Sequence, residues 1–98
     1  MGLEPAAAAA ELRKALEGLV NRLYKQHHLV DGDDLDRRIG ALRDHTIVPE
    51  IVANHMHTIR LTGNRALHPK AGEPVLQSGD IYPSITAFVA ILEWLDQK

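Results

Sequence analysis

The 98-residue chain has no cysteine, which excludes a disulfide framework, a thiolate metal site and a cysteine nucleophile. Packing alone must hold the fold, and a reducing compartment suits it. Aromatic residues are sparse: Tyr24, Tyr82, Phe88 and Trp94 are too few for a sheet that stacks nucleic-acid bases. No apolar run approaches the ~20 residues of a membrane span, and the first ten residues lack the basic start and leucine-rich centre of a secretory signal. The chain is therefore expected in the cytoplasm, with no membrane partner. Charge of one sign is missing too, since a net charge of −2 excludes a basic cloak for nucleic acid. There is no glycine-rich phosphate loop with lysine, no nucleophile elbow and no zinc-binding His-Glu-x-x-His pattern, so neither a cofactor nor a metal is expected.

What the chain does have is helical periodicity. Leu12, Leu16, Leu19 and Leu23 recur at alternating steps of four and three, with Val20 beside them, which predicts a helix from Pro5 to His28. The alanines from Ala6 to Ala10 favour helix but have nothing evident to bury, so residues 1–10 read as an alanine-rich leader or linker that frays or extends into solvent, ahead of a domain at 11–98. The acidic turn around Asp31, Gly32, Asp33 and Asp34 suits a helix start better than a calcium loop, which would need a closing glutamate. In the short helix that follows, Leu35, Ile39 and Leu42 face inward while Arg37, Arg38 and Arg43 face outward.

Pro49 is placed to open a third helix running at least to Leu61. Pro69, Gly72, Pro74 and Gly79 then punctuate a single long loop from Pro69 to Gly79, after which Asp80 begins the last helix with Pro83 in its first turn. No strand pattern, repeat or second domain is visible. The reading is an all-α, four-helix up-and-down bundle with one long loop between helices three and four.

On the last helix, Ile85, Phe88, Val89, Leu92 and Leu95 form the expected inner stripe. A second apolar stripe, Ala87, Ile91 and Trp94, lies about 120° away at 100° per residue. It either packs on another neighbour within the bundle or forms a partner surface. With Trp94 as anchor, the second alternative predicts a homodimer through this helix.

The chemically richest stretch surrounds Arg60 and His68. On a continuous helix Arg60, Asn64 and His68 stand at i, i+4 and i+8 with His57 three residues earlier, so the four share a polar stripe flanking the apolar positions Val52, Met56, Ile59 and Ala66. Gly63 costs up to about 1 kcal/mol inside a helix, and the absence of a side chain there permits close approach by another backbone, a partner helix or a ligand. The competing picture ends the helix at Gly63 and Asn64, which dissolves the spacing.

In metal-free RNA cleavage a base takes the proton of the ribose 2′-hydroxyl while a cation stabilises the charge growing on phosphorus. His68 and Arg60 fit those roles, with Asn64 orienting substrate and His57 as a second acid or base. The simpler reading has Arg60, Asn64 and His68 hydrogen-bonding loop carbonyls to fix the long loop. His55 and His57 point to different sides of a helix and His27 and His28 are adjacent, so the six histidines do not make a metal site.

Arg13-Lys14-Ala15-Leu16-Glu17, followed by Ile59-Arg60, Gly63-Asn64, Ala66 and His68-Pro69, resembles the bacterial domain of unknown function numbered forty-one forty-five, a group similar to the HEPN superfamily of helical domains. The resemblance spans Leu12 to about Leu95. It implies a HEPN-like bundle, often dimeric, carried as one module of larger bacterial proteins that include stress and defence systems. It also implies a candidate metal-independent ribonuclease pair, Arg60 and His68, composed across a homodimer. The pair encloses seven residues, where the HEPN pattern has four to six, and this departure favours a non-catalytic interaction or dimerisation module. RNA remains the candidate ligand of both readings.

Overall fold

The computed structural model describes residues 4–30 and 32–98. Its first helix, α1, spans Pro5–Gln26, with the Glu4 carboxylate accepting from the amides of Ala6 and Ala7 at the N-terminus. Leu16, Val20 and Leu23 are buried as their spacing predicts, and Leu12 and Leu19 pack half-buried against the same core. The alanines do not extend into solvent as expected. Ala9 is buried against Leu76 and Ile81, with Ala6 and Ala8 around them, because alanine lets a neighbouring segment lie close. Met1, Gly2 and Leu3 of the expected leader fall outside the described residues.

Helix α1 stops two residues short of His28 because that residue adopts the left-handed region, φ 57°. The amide of Leu29 then donates to the carbonyl of Tyr24 and that of His28 to Lys25, closing a Schellman motif with Leu29 tucked toward the core. Helix α2, Leu35–Asp44, ends the same way: Thr46 has φ 55° and the Ile47 amide donates to the Leu42 carbonyl. At its start the Asp34 carboxylate accepts from the Arg37 amide at 2.9 Å, so the acidic turn caps a helix. Asp31 lies outside the described residues.

Helix α3, Glu50–Leu67, runs unbroken through Gly63 and decides between the two pictures of that position. Helix α4, Ser78–Asp96, begins two residues earlier than expected. The Asp80 carboxylate reaches back to accept from the Gln77 amide at 2.8 Å, which nucleates the turn ahead of it and leaves Pro83 inside the helix, exposed.

Four helices and no strand make up the described residues, and α3 is the hub. It packs on α1, α2 and α4, while α2 and α4 do not touch. Val52, Ala53, Met56 and Ile59 from α3 meet Leu16, Val20 and Leu23, Leu35, Ile39 and Leu42, and Ala87 and Ile91 in one core.

Of the expected inner stripe of α4, Phe88 and Leu95 pack half-buried against the core while the rest turns outward, and the second stripe takes the first of its two alternatives by packing within the bundle. Ile81, Ser84, Ala87 and Ile91 are buried, Trp94 is half-buried against the core with the Lys98 ammonium 4.5 Å over its ring, and Ile85, Val89 and Leu92 are exposed. Small side chains at Ser84 and Ala87 allow α4 to approach its neighbours closely, which selects that face for the interior. Ala87 and Ile91 are therefore core residues and are not available as a partner surface.

Candidate functional site

Three turns of α3 carry the expected polar stripe. Arg60 is largely withdrawn from solvent, its Nε donating to Nδ1 of His57 at 3.1 Å and its Nη2 standing 3.7 Å from Oδ1 of Asp36 at the start of α2. His57 titrates below its ordinary 6.5: burial disfavours the imidazolium, Arg60 and then Arg43 repel it, and Asp36 only partly opposes them. A neutral ring fits the geometry, with Nδ1 the acceptor from Arg60. The 3.7 Å approach of His57 Nδ1 to Asp36 is then not an ion pair at neutral pH.

A third helix completes the cluster. The stem of Arg13 on α1 lies directly over Gly63, its Nε donates to Oδ1 of Asn64 at 3.1 Å, and its Nη1 pairs with Glu17 one turn along. Gly63 thus accommodates a side chain of this same chain, where expectation allowed a backbone, a partner helix or a ligand. Arg13, Asp34, Leu35, Asp36, Arg60 and Asn64 line a polar cavity of about 200 Å³. Its two guanidinium groups are matched by Asp34, Asp36 and the nearby Glu17, so the site carries no surplus of positive charge for a phosphate.

His68 stands apart from this cluster. It follows the last residue of α3, exposed, with its backbone amide donating to the Asn64 carbonyl at 2.8 Å. It lines a second cavity, of about 410 Å³, with Leu61, Asn64, Arg65, Lys70 and Glu73. Asn64 borders both cavities, whereas Arg60 and His68 each border a different one. The continuous helix preserves their i, i+8 relation without bringing the two groups into one pocket. Fixing the long loop falls to Arg65, whose Nη2 donates to the Pro74 carbonyl at 3.0 Å and whose Nε lies 3.4 Å from Glu73.

Arg13, Glu17 and Asp36 were not read as site residues from sequence. The one local signal for Arg13 was Gly63, a helical glycine that asks for a close neighbour. Among the described residues no three His, Asp or Glu side chains are grouped to hold a metal, and no helix is long and apolar enough to cross a membrane.

A family model described as Domain of unknown function (DUF4145) matches residues 2–95. No curated protein and no solved structure matches.

Proposed function

The chain belongs to the DUF4145 family, and we propose that it is a HEPN-like interaction and dimerisation module without chemistry of its own, acting in the cytoplasm within a bacterial stress or defence protein. The observation that carries this reading is that Arg60, bonded to His57, borders one cavity with Asp36 while His68 borders another. A base and a phosphate-stabilising cation must flank the same scissile bond. The polar cluster serves instead to lock α1, α2 and α3 together. Association with nucleic acid is assigned to the end of α3, where Lys70 adds a positive charge beside the Arg65–Glu73 pair and His68 around the larger cavity.

The test incubates purified protein with mixed RNA in chelator, beside an Arg60→Ala, His68→Ala double variant. Neither is expected to cleave. Cleavage by the parent that disappears in the variant would overturn the reading in favour of a metal-independent ribonuclease. Binding to RNA through the basic end of α3 should weaken from low to moderate salt, and affinity that ignores salt would remove the phosphate-led part of the proposal.

A further inference from the structure

Helix α4 leaves a second apolar seam uncovered. Tyr82, Ile85, Val89 and Leu92 follow one another at steps of three, four and three and are 64%, 39%, 48% and 47% exposed. At 100° per residue they fall within about 80° of the helix circumference. Asp80, Glu93 and Asp96 are the charged residues of the helix, and none interrupts the seam between Tyr82 and Leu92. Beside Ile85 it opens into an apolar groove of about 320 Å³ floored by Ala7, Ala8 and Leu12 of α1.

The spacing is that of the a and d positions through which two helices interlock. It also reads the same in both directions. Laid antiparallel on a copy of itself about a two-fold axis level with Ala87, the seam pairs Tyr82 with Leu92 and Ile85 with Val89, each pair occurring twice, in the a-to-d layers of an antiparallel helical pair. Charge selects the same orientation. Asp96 of one copy meets the N-terminal end of the other copy's α4 opposite Ser78, on the face away from that copy's capping Asp80, where the helix dipole favours an anion, whereas a parallel arrangement sets Asp96 against Asp96.

We propose that the occupant of this seam is a second copy of the chain, joined through antiparallel α4 helices with Ile85 facing Val89 across the two-fold axis. The inference rests on the reading of the domain as a dimerising module and adds the surface and the geometry.

Sedimentation across a concentration series checks association. A dimer is expected, with Val89→Glu raising its dissociation constant by about thirty-fold or more and circular dichroism showing the helices retained. Because the chain has no cysteine, orientation is read by cross-linking. Ile85→Cys mixed with Val89→Cys should form a disulfide between the two variants faster than either variant forms one with itself. A dimer indifferent to Val89→Glu, or one whose cysteine variants each cross-link chiefly with themselves, would overturn the antiparallel seam and leave a dimerising module standing. A monomer at several hundred micromolar would overturn both.

Discussion

The stem of Arg13 occupies the space that a side chain at Gly63 would need: a Cβ built on Gly63 would stand 2.6 Å from both Cβ and Cδ of Arg13. Contact at Cβ means that rotating the arginine away does not clear the way, and α1 and α3 must move apart. Gly63→Ala gains up to about 1 kcal/mol in helix propensity but incurs about 1–3 kcal/mol of overpacking. The variant should melt lower than the parent, and Arg13→Ala, which keeps its Cβ, should not restore it. Thermal melting of the single and double variants measures this directly.

His57 gives the fold a pH dependence of known sign. Its folded pKa lies below 6.5, so the unfolded chain takes up the proton at a higher pH than the folded one. Stability contributed by neutral His57 is complete above 6.5 and is lost as pH falls from there through the folded pKa. Burial drives the shift, Arg60 and more weakly Arg43 add to it, and Asp36 opposes it. Denaturant midpoints between about pH 7.5 and 5 should therefore fall more steeply for the parent than for His57→Gln, which retains an acceptor for Arg60. Equal slopes would refute the assignment.

Arg60 and His68 should separate in their effects on folding. Arg60→Ala removes the donor to His57 and the contact with Asp36 from a half-buried junction, at about 1–2 kcal/mol, which lowers the melting temperature by several degrees in a domain of this size. His68→Ala changes an exposed side chain that receives no hydrogen bond across helices, and its effect should stay within about 0.5 kcal/mol. Urea titrations of the two variants decide the matter, since comparable losses would place both residues in one structural unit.

Thr46 holds a left-handed backbone conformation that a β-branched residue adopts at a cost. Thr46→Gly relieves it while the Schellman bonds at the end of α2 are preserved, and should raise stability by about 0.5–1 kcal/mol. A lower midpoint in denaturant would show that the hydroxyl's 2.7 Å bond to the His45 carbonyl outweighs the backbone strain.

The sequence disclosed α1, α2 and α3 because their leucines and isoleucines stand at steps of three and four against a charged opposite face. It concealed the orientation of α4, where Ile85, Val89 and Leu92 are as apolar as the buried side and Ser84, at the centre of the interior stripe, points the wrong way on any hydropathy scale. The end of α1 was hidden because its left-handed residue, His28, is not a glycine. The stripe of His57, Arg60 and Asn64 was legible from periodicity, being local to one helix. Its partners were not, since Arg13 reaches Asn64 across 51 positions of chain and Asp36 comes from a different helix.

Burial of Ala9 against Leu76 and Ile81 bears on where this fold can be cut. A version trimmed to start at Glu11 would strip the roof from two aliphatic side chains and release the segment that leads into α4, so the alanine stretch is a wedge the bundle requires and any fusion partner belongs upstream of it.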